Sequence, residues 1–251
     1  MCGICGELRW DGPVVSQRLS PMLQAIARRG PDQEQTKVFD NRLALGHRRL
    51  SIIDLSDHSH QPFVDQASGV AIVFNGTIYN YRELREQLKG LGHSFYSQGD
   101  TEVILKAYLQ WGQDCLQYLE GMFAFVIYDK EKLFLARDRF GIKPLYYSVG
   151  NGWFWFASNP QALLKKAELE KETLTELDSV ALHFQFSLHA SVPAPYTVFK
   201  KIRKLPPAHC MTVELNGQTK IWPYWHLRPQ RPPQPKTQAE WLELSKFELF
   251  R

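Results

Sequence analysis

The sequence predicts an α+β chain in which helices flank β-sheet on two sides. Four strand-like runs crowd together between residues 122 and 158: MFAFVIYD, KLFLARD, PLYYSV and FWFAS, joined by short polar or glycine-containing links. They do not alternate cleanly, as expected of strands covered on both faces. Segments of helical period precede them, so the covering layers are helical.

The elements follow in order. MCGICGELRW is a strand, and a polar Asp11-Gly12 turn follows it. Leu19, Met22, Leu23 and Ile26 recur at helical spacing and make one apolar stripe, which Gly30-Pro31 stops. Residues 43–55, LALGHRRLSIIDL, alternate imperfectly and read as strand and loop. Val70 to Phe74 is a short β-branched run that ends in a turn at Asn75-Gly76. Asn80 and Glu83 form a capping signal for the helix YRELREQLKGL. Its inner face is Tyr81, Leu84, Leu88 and Leu91, and Gly90 and Gly92 end it. A further helix starts after Asp100, with Val103, Ile104, Ala107, Tyr108 and Trp111 as its stripe and Gly112 as its stop. No internal repeat is evident. Residues 228–236, RPQRPPQPK, read as an extended linker. Thr237 and Glu240 then make a capping box before WLELSKFELF, which ends without a helix stop signal. The expected organisation is one domain over 2–227, the linker over 228–236 and the start of a truncated second domain over 237–251.

The 251 residues are 44% hydrophobic and 13% aromatic, which marks a globular rather than a disordered chain. A net charge of +4, with no run of five basic residues, argues against a nucleic-acid partner. No apolar stretch approaches the roughly 18 residues of a membrane span, and no basic-then-apolar leader opens the chain. A cytoplasmic location is the expectation.

Cysteines stand at 2, 5, 115 and 210. Cys2 and Cys5 form a C-x-x-C, but zinc would need a second pair at matching spacing, and Cys115 and Cys210 supply none. His47, His58 and His60 are close in sequence, yet His58 and His60 fall in the polar stretch DLSDHSH and read as solvated loop. No metal site is expected. A thiol-redox role lacks the βαβ context such a motif usually has.

Cys2 carries two readings. Removal of Met1 would give one residue both a thiol and a free amine, with reference pKa values of about 8.5 and about 7.7–8.0. The amine could then take the thiol proton, the arrangement of an N-terminal nucleophile. The other reading is an inert cysteine near a loose terminus.

Seven segments bear on that choice. MCGICG, ARRGPD, LGHRRLSIIDL, VFNGTIYNY, GDTEVIL, EGMFAFVIYD and RDRFGIKPLYY occur in this order over the first 150 residues. Together they resemble class II glutamine amidotransferase domains of the asparagine synthetase family, over residues 2–225. Within that family, VPAPYTVFKKIRKLPPAH and the LGHRRL variant look most like N-acetylglutaminylglutamine amidotransferases. LGHRRLSIID is unlike the hexosamine and purine branches.

The resemblance implies a four-layer α-β-β-α sandwich of the N-terminal nucleophile hydrolase type, and an enzyme. Cys2 would attack the side-chain amide of L-glutamine, release ammonia and leave a thioester for water to hydrolyse. The Asn75 side chain and the Gly76 backbone N–H match the family's oxyanion donors, although an isolated Asn-Gly is more often a turn. Arg49 matches the carboxylate-binding arginine, a task that suits a guanidinium fork; on a strand Arg48 would point the other way. Asp100 matches the partner of the α-ammonium, a role compatible with capping a helix. Leu50, Ser51, Ile52, Ile53 and Thr77 complete the expected glutamine pocket.

Three residues depart from the family pattern. Thr77 stands where many relatives have glutamate after Asn-Gly. Arg28-Arg29-Gly30-Pro31-Asp32 replaces the H-R-G-P-D usual in asparagine synthetases. Cys5 occupies an aliphatic position and reads as a small buried hydrophobe. The largest departure is the absence of a loop of the S-G-G-x-D-S type, which SVGNGW does not match. The chain therefore offers the ammonia-producing half, with no cofactor of its own. ATP and Mg would belong to a synthetase domain or subunit that receives the ammonia, and a homodimer is compatible with this reading. Thr77 and the lack of a synthetase domain also motivate an alternative, a catalytically silent interaction or regulatory module.

Overall fold

A computed structural model describes residues 1–54, 56–229 and 236–249. The first half runs β1 (Gly3–Arg9), α1 (Ser20–Ala25), β2 (Gln33–Phe39), β3 (Leu43–Arg49), β4 (Phe63–Val64), β5 (Ala71–Ile78), α2 (Tyr81–Gly90) and α3 (Asp100–Trp111). Then come β6 (Gly121–Tyr128), β7 (Lys132–Arg137), β8 (Tyr146–Gly150), β9 (Trp153–Ala157), α4 (Pro160–Glu170) and α5 (Ser179–Ser187). The short β10 (Arg203–Lys204), β11 (His209–Glu214), β12 (Thr219–Pro223) and α6 (Gln238–Leu249) complete the described elements.

Two six-stranded sheets result, ordered β10-β8-β9-β1-β3-β2 and β12-β11-β7-β6-β5-β4. Every ladder within them is antiparallel. Side chains of a strand alternate between faces, and here both faces are buried. In β6, Ala124, Val126 and Tyr128 point between the sheets, where they meet Ile4, Leu45, Val73, Leu135 and Phe154. Phe123, Phe125 and Ile127 point the other way, onto Leu84 and Leu88 of α2 and Val103 and Ile104 of α3. On the far side Cys5, Trp155 and Ala157 pack under Met22 and Leu23 of α1 and Leu163 of α4. The layers are therefore helix, sheet, sheet, helix. Burial on both faces explains why the strands read as near-continuous apolar runs even though the sheets are antiparallel.

Several local expectations are corrected. Asn75-Gly76 is not a turn: β5 runs straight through it, pairing Asn75 with Ala124 and Gly76 with Phe123. The ladder with β6 overrides the local turn preference. Glycine is required there because a Cβ would lie 2.3 Å from the Met122 carbonyl oxygen. Asn80 sits at the N-cap of α2 without capping it. Its side chain instead donates to the Tyr118 carbonyl (2.9 Å) and accepts from the Glu120 amide (3.1 Å). Leu91, expected on the inner face, is 51% exposed. The stripe of Leu19 to Ile26 is buried as expected, but it runs from the end of a 3-10 turn through α1 to its C-cap Ile26, and a second 3-10 turn, Ala27–Arg29, follows. Gly112, at φ +57°, closes α3 as expected. The Thr237–Glu240 capping box forms: the Glu240 carboxylate accepts from the Thr237 amide at 2.7 Å, and the Thr237 hydroxyl accepts from the Glu240 amide at 3.3 Å. Most of the expected linker, residues 230–235, lies outside the described residues.

Candidate active site

The strand alternation that builds the central layer also assembles the site. On β3, Leu43 and Leu45 face the other sheet, so His47 and Arg49 continue the same stripe. On β5, Ala71 and Val73 do so, and Asn75 follows. Ile4 of β1 belongs to the central layer, which puts Cys2, two residues earlier, on that face. Arg48 lies opposite Gly3 in the ladder, so Cys2 and Arg49 meet at one end of the space between the sheets. A cavity of about 200 Å³ opens there, and Cys2, Arg49, Asn75, Gly76, Asp100 and Lys143 are in its wall. Leu50, Ile52, Ile53 and Thr77 line it as well.

Cys2 is half-buried, and its Sγ accepts a hydrogen bond from the Leu50 amide at 3.4 Å. Burial pushes the thiol pKa up, against the Leu50 contact, the chain's terminal ammonium and Arg49, which favour the thiolate. The sulfur is thus a neutral thiol at rest and needs a base. Met1 occupies part of the cavity wall and holds the nitrogen of residue 2 in a peptide bond. Its removal would free that nitrogen beside the sulfur.

Asn75 is 1% exposed, and its Nδ2 has no hydrogen-bond partner, the one such buried side-chain atom among the described residues. An unmet buried donor is costly. The Gly76 N–H follows from ladder geometry. Beyond β4, the outer edge of β5 has no strand partner. There the Phe74 amide donates to Gln61 Oε1 at 2.6 Å and the Ile78 amide donates to Asp100 Oδ2 at 3.1 Å. Amides two residues apart point the same way, so the Gly76 N–H points outward between them. Two donors of adjacent residues are therefore free at the cavity, where negative charge on a substrate oxygen could settle.

Arg49 is buried, and its guanidinium donates to the carbonyls of Ser56 (3.2 Å) and Asp54. The loop after β3 holds the fork in place. Arg48 turns to the other face, ion-paired with Glu34 and donating to the Leu23 carbonyl at 3.3 Å. Asp100 is the first residue of α3, with Gly99 at the N-cap, so its carboxylate faces the cavity and the edge of β5. Burial raises its pKa to about 6, opposed by the amides of Ile78, Asp100 and Thr101 and by Arg85. Ser51 is the exception among the expected residues: it does not line the cavity, and its amide donates to Asp32 Oδ2 at 2.7 Å. Cys5 is fully buried under α1 and α4, and burial raises its pKa strongly, which leaves it an inert thiol. No group of metal-ligating side chains occurs among the described residues.

Sequence reasoning passed over several contributors. The segment ARRGPD is a clamp. Arg29 Nε donates to the Cys2 carbonyl at 3.0 Å, and Gly30 lies so close to β3 that a Cβ would sit 2.3 Å from the Arg48 carbonyl carbon. Asp32 anchors Ser51. His47 Nε2 bonds to the Phe74 carbonyl at 3.2 Å, tying the two sheets together beside Asn75. Burial lowers the His47 pKa to about 3, opposed by that bond and reinforced by Arg49, so the ring is neutral and Nε2 is the donor. Gln61 and Lys143 complete the wall. His47 lies in LGHRRL and Lys143 in GIKPLYY, so the motifs contained both, but nothing in spacing told their roles.

The fold has solved counterparts. The glutamine phosphoribosylpyrophosphate amidotransferase of B. subtilis superposes with a TM-score of 0.64 at 20% identity, over 89% of this chain and 49% of that one. The allosteric regulatory enzyme of purine biosynthesis gives 0.62 at 18%, again over 89% and 49%. These likenesses show the fold, a four-layer α-β-β-α sandwich. A glutamine amidotransferase domain family matches residues 1–225. The chain belongs to the glutamine amidotransferase domain family. It is 35% identical to a putative glutamine-hydrolysing asparagine synthetase 2 of Methanocaldococcus jannaschii, over 92% of this chain and 48% of that protein. It is 32% identical to asparagine synthetase 3 of Bacillus subtilis over 92% and 38%, and 37% identical to asparagine synthetase 1 over 90% and 35%. The chain thus spans less than half the length of these relatives. No described helix is long and apolar enough to cross a membrane.

Proposed function

We propose that this chain, once Met1 is removed, hydrolyses L-glutamine to glutamate and ammonia through a Cys2 thioester. The observation that carries the reading is the orphaned Asn75 Nδ2 beside the outward Gly76 N–H, in one cavity with Cys2. In the first half-reaction the α-amine takes the thiol proton and sulfur bonds to the amide carbon. The oxyanion rests on Asn75 and Gly76. The C–N bond then breaks, and the amine's proton leaves with ammonia. In the second half-reaction water adds to the thioester with the same amine as base. The C–S bond breaks, and the thiol recovers its proton. Arg49 would hold the α-carboxylate and Asp100 the α-ammonium. The backbone around Ile52 and Ile53, with Leu50 and Thr77, would close the pocket.

The ammonia would pass to a synthetase domain or subunit that uses ATP and Mg, in the cytoplasm. Its acceptor would be aspartate or an N-acetylglutaminylglutamine-type dipeptide. The names of the relatives support the first of these, and VPAPYTVFKKIRKLPPAH the second. The test is glutamate release by protein whose N-terminus is verified by mass. Trimmed chain should turn over, and chain that retains Met1 or carries Cys2→Ala should not. Trimmed protein that forms no acyl adduct and releases no glutamate would instead be a silent module.

A further inference from the structure

Lys143 is buried, yet it differs from the other buried lysines. Lys106 is paired with Asp65 at 2.5 Å, and Lys166 with Glu7 and Glu170, both at 2.8 Å. The Lys143 ammonium has no ion-pair or hydrogen-bond partner among the described residues, and its side chain lies in the wall of the Cys2 cavity. Its backbone is clamped on both sides. The amide donates to Asp138 Oδ2 at 3.0 Å, and the carbonyl accepts from Arg137 Nε at 2.7 Å. Asp138 is itself buried and also accepts from the Phe123 amide at 3.2 Å. Phe123 is the ladder partner of Gly76. One carboxylate therefore ties Lys143 to the strand pair that carries the oxyanion donors. The backbone of Lys143 is thus fixed beside the oxyanion donors, and its ammonium, open to the cavity and without a counter-ion among the described residues, can meet an anion that arrives there.

We propose that Lys143 is a further residue of the glutamine pocket, whose ammonium meets the negative charge formed at its sulfur end. That charge is first the Cys2 thiolate and then the γ-carboxylate of the product. The inference rests on the glutaminase reading for the identity of the product, but the charge itself can be measured without turnover. The charged and titratable groups around the site are Arg29, Arg49, Asp100, Asp138, Cys2 and the chain's terminal amine. Burial and Arg29 disfavour the Lys143 ammonium, whereas Asp138 and Cys2 favour it. Arg29 spends Nε on the Cys2 carbonyl and Arg49 one donor each from Nη1 and Nη2 on loop carbonyls, whereas no donor of the Lys143 ammonium is spent on a partner among the described residues.

Alkylation of Cys2 by two reagents of nearly equal size and different charge reads this directly. At low salt, the rate with iodoacetate divided by the rate with iodoacetamide reports the charge beside the sulfur. Peptide mass locates the label, and Cys5, Cys115 and Cys210 are buried. Lys143→Met should lower the ratio about fivefold, and the fall should shrink as salt is added. Lys143→Arg should keep the ratio, and Lys143→Gln should repeat the Met result with less disturbance of packing. A general loosening of the loop would speed both reagents together and leave the ratio alone. An unchanged ratio in both neutral variants would overturn the assignment. A chain that releases no glutamate but keeps the Lys143-dependent ratio would sink the glutaminase reading and leave Lys143 in its place.

Discussion

The space between the two sheets has a middle and an end, built on the same strands and by the same alternation. In the middle, Leu45, Val73, Val126 and Leu135 are all fully buried and interlock. Two to four residues further along the same stripes stand His47, Arg49 and Asn75. The middle has apolar partners throughout. At the end His47 is tied to Phe74 and Arg49 to Asp54 and Ser56, while the buried Asn75 Nδ2 has no partner among the described residues. The difference shows how a site is made without a separate element. The stripe is carried past the core with polar residues, and the adjoining core absorbs the cost of the unmet donor, about 1–3 kcal/mol.

The sharpest way to test this division is to remove the sulfur. Cys2→Ala should abolish glutamate release, a loss of about a thousandfold or more, with the melting temperature essentially unchanged. A rate within about tenfold of the parent chain's would contradict the nucleophile. Asn75→Ala comes next. A fall in kcat of about 10²–10³-fold with little change in KM is expected of a lost oxyanion donor. Because Nδ2 is unpartnered, stability should hold or rise slightly, and a large loss of stability would mean the side chain is structural. Leu135→Ala probes the other region. It should cost about 2–5 kcal/mol in denaturant unfolding and leave kcat of the folded fraction as it was.

Asp100→Asn should have the smallest effect on the chemical step and the most informative pH dependence. KM for glutamine should rise about 10–100-fold, as for a lost charged hydrogen bond. In the unaltered chain, binding should weaken below about pH 6, where Asp100 takes up a proton, and the variant should lack that acid limb. The effect on stability has the opposite sign. A carboxyl raised to about 6 from 3.8 favours the folded state only when protonated, so its contribution is lost as pH rises from about 4 through about 6. The variant should thus be more stable at pH 7, by at most about 3 kcal/mol. A melting temperature that falls instead would show that the carboxylate is needed to hold Ile78 and α3. His47 works the other way. With its folded value near 3, the stability it lends is complete above about pH 6.5 and is lost as the solution is acidified.

Local pattern determined a good deal of this protein. The apolar runs marked strands buried on both faces, and Gly112 marked the end of α3. Arg48 and Arg49, as neighbours on a strand, had to point apart. Cys2, Arg49, Asn75, Gly76 and Asp100 were expected in one site through the family resemblance of their motifs, not through register or spacing. Tertiary structure alone decided the rest. Asn75-Gly76 has the composition of a turn and is a strand because β6 pairs with it. Asn80 has the composition of a cap and instead ties down the chain before β6. Asp100 could have been the N-cap of α3, but Gly99 takes that position, and the Asp100 carboxylate one residue on reaches the Ile78 amide at the cavity. Lys143 carries no signal of its own, since a lysine in a loop is usually solvated. Only the clamp of Arg137 and Asp138 on its backbone sets its side chain in the cavity wall. Residue type and spacing set which face a side chain takes, but whether its polar atoms find partners depends on what lies across the fold.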